Sequence, residues 1–306
     1  MTIISITLSK KQINKFWKVD FSPNVLYVQG SKKALKLLDR LPECGLAIVG
    51  TRHPTRKSLE IVKKSVLELR GSDLIIISGF AKGIDGCAHI AALETELSTI
   101  AVMASGLDVC YPDEHKDLKD KILSHDGLIL SEYPLGIKIK RYLFLERNRL
   151  IAGLAKATWI VEAPQKSGAL NTAAWAREFD RNCYATPCYP NDDYLRGNQN
   201  LLDNNCALPF WGIHSLGSTW LEVLSLPKKQ VFSLTTLTKD EKKVLEKAHQ
   251  LIADFGGVQV EDLLNWALLN EWNTNKFFTN LKNLVNKQFL IDDRGFLLKN
   301  SAIITL

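Results

Sequence analysis

The sequence is short of the residue patterns from which metal centres, disulfide frameworks and membrane anchors are built. Its six cysteines include no CxxC pair, and its six histidines form neither HExxH nor HxH. We therefore expect reduced, mostly buried thiols and no metal site. No apolar run approaches the roughly 20 residues of a membrane helix, and the first residues lack the apolar core of a signal peptide. These absences predict a cytoplasmic protein without membrane association.

Sequence signatures of common enzymes and nucleotide-binding proteins are also missing. There is no GxxxxGK[ST] loop, no GxGxxG loop and no GxSxG element. Asp85, Glu132 and Glu162 follow predicted strands or loops and could form an acidic set, although pairing with a helix N-terminus is the simpler interpretation for Asp85. No nucleophile has an evident activating base. We expect no catalytic residue, no cofactor and no enzymatic activity.

The charge balance is mildly basic and evenly spread. The 306 residues include 39 Lys and Arg against 33 Asp and Glu, which gives a net charge of +6. Residues 226–306 hold 11 basic and 9 acidic side chains, so the C-terminal part is no basic arm. This balance is compatible with nucleic acid as a partner, but local clusters of cations would have to hold it.

Short apolar runs alternate with helical patterns over the first two thirds of the chain. Four of these runs are apolar throughout: 45–50, 73–78, 99–104 and 157–162. Continuous apolar runs are typical of strands that are buried on both faces of a parallel sheet. The alternation predicts a doubly wound, mostly parallel α/β sheet over residues 22–225, preceded by a short N-terminal segment, 1–21.

The remaining sequence predicts a second, smaller domain after a linker at 226–237. Thr238 and Glu241 have the spacing of a capping box that opens a helix. Two further helical segments and a hairpin with Asp-Arg-Gly at its turn follow, and this order indicates a winged helix at 238–306. Because its net charge is small, protein contact or autoregulation is favoured over base readout for this domain.

Two glycine-containing loops follow successive buried strands, and each leads into a helix. In SGFAKGIDG (78–86), backbone N–H groups at the glycines can approach an anion, and Lys82 adds a positive charge. VGTRHPT (49–55) supplies the guanidinium of Arg52, whose planar fork suits phosphate. Because the carboxyl ends of parallel strands meet at one edge of a sheet, we expect the two loops to lie side by side. A plain turn is the alternative for 78–86.

Two further stretches carry cations towards the same edge. KIKRYLFLERNRLIAG (138–153) interleaves five cations with Tyr142 and Phe144, and this combination suits single-stranded nucleic acid. A solvated basic loop with core aromatics is an equal alternative. The loop in VEAPQKSGALNTAAWA adds a third helix start, with Lys166 and Ser167 as anion partners. The five cations are Lys138, Lys140, Arg141, Arg147 and Arg149.

Seven blocks of the sequence occur in the order and spacing of a known family. They read AIVGTRHPT, SGFAKGIDGCAHIAAL, TIAVMASGLDVCYPDEH, LILSEYPLG, ERNRLIAGLA, IVEAPQKSGALNTAAWA and RGNQNLLDNNCAL. Over about residues 22–220 the chain resembles the DNA-processing protein A family (DprA, also called Smf), and its tail resembles the winged helix of many members. The resemblance implies an extended Rossmann-like domain that binds single-stranded DNA without sequence preference, forms a homodimer and loads a RecA-type recombinase in natural transformation.

Carried over block by block, the resemblance predicts a DNA site assembled from four segments. Its residues would be Gly50, Thr51, Arg52, Ser78, Gly79, Ala81, Gly83, Arg147, Asn148, Arg149, Lys166, Ser167 and Gly168. From the residue patterns described above, two further cations and two base-stacking candidates join this set: Lys82, Lys140, Tyr142 and Phe144.

The sequence departs from the family pattern at several positions. Leu145 and Glu146 stand where a proline and a basic residue usually precede Arg147-Asn148-Arg149, and Thr186-Pro-Cys188 stands where VPG is usual. Glu146 beside phosphate-binding arginines would weaken the attraction of phosphate. The first alternative is therefore a divergent paralogue that acts in defence against phage or plasmids, or with a toxin. A nucleotide sensor and a phosphoribohydrolase-like enzyme are the others.

Overall fold

The computed structural model of the chain describes residues 3–7, 16, 21–23, 25–188, 192–220, 237–255, 258–286, 290–293 and 296–299. The chain divides into two compact units, Met1–Leu226 and Pro227–Leu306. No helix among the described residues is long and apolar enough to cross a bilayer.

The first unit is built on a nine-stranded sheet. Its strands are β1 (Ile3–Thr7), β2 (Val25–Gln29), β3 (Gly45–Val49), β4 (Ile75–Ser78), β5 (Ser98–Val102), β6 (Leu128–Ser131), β7 (Ala157–Ile160), β8 (Asn182–Ala185) and β9 (Leu208–Pro209). Their order is β1-β2-β6-β5-β4-β3-β7-β8-β9. All pairs from β6 to β9 are parallel, and β1 and β2 are antiparallel at one edge. The predicted doubly wound, mostly parallel sheet is confirmed. It begins at residue 3, within the segment that we expected to precede it.

Helices pack on both faces of this sheet. The described α-helices of the first unit are α1 (Leu37–Cys44), α2 (Arg56–Glu68), α3 (Ile84–Glu94), α4 (Lys116–Ser124), α5 (Arg141–Leu154), α6 (Ala169–Glu178), α7 (Arg196–Asp203) and α8 (Gly217–Trp220). Along β3, Ala47 and Val49 belong to one apolar cluster, while Leu46 and Ile48 belong to another. Both faces of the strand are therefore covered, which explains why its sequence shows no polar alternation.

The direction in which the sheet grows reverses at β3. The chain first adds β4, β5 and β6 on one side of β3, and later adds β7, β8 and β9 on the other side. The carboxyl ends of β3 and β7 consequently border the crevice in which open α/β sheets bind ligands. Helices α2, α3 and α6 begin a few residues beyond β3, β4 and β7, so their N-termini lie at the same edge.

The described part of the second unit contains helices and a small antiparallel sheet. Its elements are α9 (Lys239–Phe255), β10 (Val258–Gln259), α10 (Val260–Leu269), α11 (Thr274–Asn286), β11 (Leu290–Asp293) and β12 (Phe296–Lys299), with the strands in the order β10-β12-β11. The capping box is confirmed, because the Glu241 N–H donates to Thr238 Oγ1 at 3.1 Å and the Thr238 N–H donates to Glu241 Oε2 at 2.9 Å. The winged helix stays a prediction. The hairpin turn, and the linker apart from Leu237, lie outside the described residues.

Candidate nucleic-acid interface

A cavity of about 930 Å³ opens at the carboxyl edge of the sheet, beside the ends of β3 and β7. Its lining comes from the loops after β3 and β5, the start of α3, helix α5, and the loop before α6 with the first turn of that helix. Ten of the predicted site residues line it: Gly50, Thr51, Arg52, Ala81, Phe144, Arg147, Asn148, Lys166, Ser167 and Gly168. The expectation that separate strand-end loops meet at one edge therefore agrees with the geometry.

The loop after β3 is fixed by close backbone packing. The Thr51 N–H donates to the Glu162 carbonyl oxygen at 2.7 Å, and the Ile84 N–H donates to the Thr51 carbonyl oxygen at 3.2 Å. Gly83, at a φ of +81°, lies directly against this loop, and a Cβ there would collide with the Thr51 carbonyl oxygen. Gly83 does not line the cavity. In this structure Gly83 lets α3 approach the loop, and the phosphate contact expected of Gly83 stays a prediction.

Arg52 and two aromatic rings form one wall of the cavity. The exposed Arg52 guanidinium lies 4.7 Å from the centroid of the Phe144 ring, close enough for a cation–π interaction. Tyr111, with 42% of its surface exposed, packs edge-on against Phe144, with 5.8 Å between the two ring centroids. Tyr111 was not predicted from the sequence, because its loop after β5 carries none of the patterns that we associated with binding. Of the two predicted stacking residues, Tyr142 is exposed and outside the lining.

Arg147 forms the floor of the cavity rather than an exposed anion ligand. Its side chain is 3% exposed, and its guanidinium donates to the carbonyl oxygens of Gly79, at 2.5 Å, and Val102. Burial lowers the pKa of Arg147 to about 10, and the attraction of Asp85 opposes that shift. Arg147 thus remains charged at neutral pH and joins the ends of β4 and β5.

Gly79 provides the space that this arrangement requires. A Cβ at Gly79 would lie 2.6 Å from both Arg147 Nη2 and Asp85 Oδ2. Gly79 is itself outside the lining. The absence of a side chain at Gly79 leaves room for the Arg147 guanidinium beneath the cavity, and the phosphate contact expected of its backbone stays a prediction.

Asp85 supplies a buried carboxylate at the start of α3. Its side chain is 5% exposed, it contacts the cavity, and its Oδ2 accepts the Ala81 N–H at 3.4 Å. Burial raises the pKa of Asp85 to about 6, while the neighbouring Arg147 charge lowers it in part. The opposite charges of Asp85 and Arg147 therefore attract one another beneath the cavity.

Seven predicted site residues do not line the cavity: Ser78, Gly79, Lys82, Gly83, Lys140, Tyr142 and Arg149. Ser78 is fully buried, and its hydroxyl donates to the Ile48 carbonyl oxygen at 2.6 Å, so it holds β4 to β3. Lys140 and Tyr142 are exposed at the start of α5. Lys82 is exposed and forms an ion pair with Glu114 at 2.6 Å. The structure thus places these residues outside the cavity lining, and their part in DNA binding stays a prediction.

Arg149 is engaged elsewhere as well. Its Nη2 lies 2.5 Å from Glu132 Oε2, and both side chains are largely buried. The acidic set suggested by the sequence therefore divides, since Glu132 pairs with Arg149 and Glu162 contacts Thr55. Glu146, which we expected to weaken phosphate attraction, is exposed outside the lining, and its Oε2 accepts the Tyr133 hydroxyl at 3.1 Å.

The loop before α6 completes the opposite part of the lining. Lys166 is exposed, and Ser167 Oγ accepts the Ala169 N–H at 3.2 Å. Asn148 Nδ2 donates to the Gly168 carbonyl oxygen at 3.2 Å and to Asn171 Oδ1 at 3.3 Å, which joins α5 to α6. Helix α6 has no acidic residue in its first turn, so its N-terminal dipole adds to the positive potential of the cavity.

The charges around the cavity are mostly positive. Among the described residues that line it, Asp85 is the carboxylate, and the cations are Arg52, Arg141, Arg147 and Lys166. Cations beside exposed aromatic rings are the features that bind a nucleic-acid backbone together with its bases. Fold and site thus define a Rossmann-like α/β protein with a candidate nucleic-acid interface at the switch point of its sheet.

Comparison with known proteins places the chain within a family. The profile described as DNA recombination-mediator protein A matches residues 6–219, and the chain belongs to this family. It is 42% identical over 192 residues to Protein Smf of Synechocystis sp., a match that covers 63% of this chain and 48% of that protein. It is 38% identical over 187 residues to DNA processing protein DprA of Streptococcus pneumoniae, covering 61% of this chain and 64% of that protein.

Solved structures agree with this assignment. The X-ray structure of DNA processing protein A from Streptococcus pneumoniae superposes with a TM-score of 0.62 at 32% identity, covering 71% of this chain and 74% of that one. The structure of DNA processing protein A from Helicobacter pylori, described for its single-stranded DNA binding mode, also superposes with a TM-score of 0.62. The two sequences are 30% identical, and the match covers 72% of this chain and 96% of that one. The matched region spans about half the length of curated relatives such as the Synechocystis protein. The family resemblance and the Rossmann-like fold are confirmed.

Proposed function

We propose that this protein binds single-stranded DNA in the cavity at the ends of β3 and β7, without catalysis, and acts as a recombination mediator. The observation that carries the proposal is the lining, in which three exposed cations (Arg52, Arg141 and Lys166) and two aromatic rings from separate segments surround one opening. Cations neutralise backbone phosphates, and aromatic faces stack on any base. The binding mode described for the Helicobacter pylori relative supports the same ligand here.

The aromatic wall favours a single strand over a duplex. Phe144 and Tyr111 lie in the lining next to Arg52, so a base that enters the cavity meets ring surface and a cation together. In a duplex the base faces are covered by neighbouring base pairs and cannot stack on a side chain, whereas unpaired bases can. The backbone cations would attract either form, so the aromatic contacts provide the preference.

Titration with a fluorescent oligo-dT and with a duplex of equal length tests this function. We expect tighter binding of the single strand, and an affinity that falls with salt at a slope of about −0.7 per phosphate contact. Contacts from Arg52, Arg141 and Lys166 together predict a logarithmic slope of about −2. Equal affinity for both DNA forms, or binding that ignores salt, would contradict the proposal. Competition by nucleoside monophosphates would instead point to a free-nucleotide site.

We also propose that the protein acts as a homodimer and passes the bound strand to a RecA-type recombinase. Membership of the recombination-mediator family supports this step. With single-stranded DNA precoated by a single-strand-binding protein, we expect addition of this protein to increase DNA-dependent ATP hydrolysis by the recombinase severalfold. A variant without Arg52 and Lys166 serves as the control and should give no increase. Equal stimulation by that variant would separate any recombinase contact from the cavity.

A further inference from the structure

Glu162 is a buried carboxylate just beyond β7, next to the loop that carries Arg52. Its side chain is 0% exposed and does not line the cavity, so it can influence a bound strand only through its neighbours. We propose that Glu162 is a positioning residue for DNA binding, because it fixes the direction from which Arg52 enters the cavity. This inference rests on the proposed function and concerns a residue outside the binding surface itself.

Glu162 holds the Arg52 loop at two points. Its backbone oxygen accepts the Thr51 N–H at 2.7 Å. Its carboxylate accepts the Thr55 N–H at 3.0 and 3.2 Å and the Thr55 hydroxyl at 2.6 Å. Arg52, His53 and Pro54 span the distance between these two anchors. Glu162 therefore holds both ends of this three-residue segment, and so restrains its backbone.

The chemistry at Thr55 explains why a carboxylate occupies this buried position. A buried charge is tolerated only where hydrogen bonds compensate its loss of water. The hydroxyl of Thr55 donates to Glu162 and accepts the Ser58 N–H at 3.3 Å, as the N-cap of α2. Glu162 thus lies at the positive end of the α2 dipole, where a negative charge is stabilised.

The position of Glu162 also gives its carboxylate and the Arg52 guanidinium different roles. Since the Glu162 carboxylate already takes the Thr55 N–H at the start of α2, that donor is not available to a DNA phosphate. Within this loop, the side chain of Arg52 supplies the positive charge that the proposed function assigns to DNA binding. Arg52 is restrained at its outer end as well, by the Phe144 ring 4.7 Å away. Glu162 thus holds the backbone of the loop, and Phe144 packs against the Arg52 guanidinium.

Two conservative substitutions test the inference by independent routes. Glu162→Gln keeps the size of the side chain and removes its charge, and Thr55→Val removes the hydroxyl at nearly constant volume. We expect each to weaken oligo-dT binding about tenfold, because Arg52 loses its fixed direction. Thr55→Ser keeps the hydroxyl and should bind within about twofold of the wild type. Fluorescence anisotropy gives the affinities, and circular dichroism establishes that each variant is folded.

Coupling to Arg52 distinguishes positioning from a general structural role. In an Arg52→Ala background, Glu162→Gln should change the affinity by less than about twofold, since the side chain that it positions is gone. Equal losses in both backgrounds would overturn the inference, as would wild-type affinity of both Glu162→Gln and Thr55→Val. If Arg52→Ala by itself leaves binding unchanged, the proposed function at this cavity fails together with the inference. Loss in Arg52→Ala without loss in the other two overturns the inference alone.

Discussion

The variant Arg52→Ala/Lys166→Ala should bind oligo-dT about a hundredfold more weakly than the wild-type protein at low salt, on an expectation of about tenfold for each lost phosphate contact. The two cations come from different loops of the same cavity, so their loss removes charge from both the β3 and the β7 side. The salt slope should also fall by about 1.4, or about 0.7 per contact. Anisotropy titrations at two or more salt concentrations measure both quantities.

A matched control is available on helix α2. Lys63 and Lys64 are exposed and lie outside the cavity lining, so Lys63→Ala/Lys64→Ala removes the same net charge at a distance from the site. This control should bind within about twofold of the wild type. If it loses as much affinity as the cavity variant, the DNA responds to overall charge, and the site assignment is wrong. Comparable melting temperatures of the two variants would exclude unfolding as the cause.

Arg147→Met should lower the free energy of unfolding by about 3–5 kcal/mol at pH 7.5, the cost typical of leaving a buried charge without its compensating cation. The substitution leaves the Asp85 carboxylate without its cation and takes a donor from the Gly79 and Val102 carbonyl oxygens. Urea denaturation followed by far-ultraviolet circular dichroism measures the loss. A change below about 1 kcal/mol would show that the buried Arg147 charge contributes little beyond a well-packed apolar side chain.

The loss of unfolding free energy caused by Arg147→Met should be smaller at pH 5 than at pH 7.5. Burial raises the pKa of Asp85 to about 6 from the 3.8 of a free aspartate, so the stability contributed by its protonated form is fully present below 3.8 and is lost as the pH rises through about 6. Without Arg147 the pKa rises further, and the ionised carboxylate costs more at pH 7.5. In an Asp85→Asn background, the loss caused by Arg147→Met should no longer depend on pH. A persistent dependence would assign it to another group.

The sheet could be predicted from the sequence because its central strands have no alternative to apolar residues. In β3, both faces are covered, so a continuous apolar run and the strand imply one another. The loop at 49–55 followed from the same logic, since the residues after buried parallel strands meet at one edge. Gly50, Thr51 and Arg52 line the cavity as that reasoning expected.

The contribution of helix α5 to the cavity could not be predicted, because the sequence did not show which residues of 138–153 share a helical face. Helix α5 begins at Arg141, and residues two apart on a helix differ in direction by about 200°. Arg147 therefore lies under the cavity while Arg149 reaches Glu132. In the same way Phe144 lines the cavity and Tyr142 does not. A run of alternating cations and aromatics gave no way to separate the two sets.

The reversal of sheet growth at β3 has a consequence for biosynthesis. β3 and β7 are direct neighbours, with Val49 beside Ile160. In the sequence, however, β4, β5 and β6 lie between them, so β7 is synthesised long after β3. Cavity walls on residues 50–52 and 164–168 therefore come together only when the late strand joins the early one. A nascent or partly unfolded chain has no complete cavity, so under the proposed function only the folded chain would bind single-stranded DNA. Bound DNA would in turn stabilise the folded chain, because a ligand that binds only the native state favours that state.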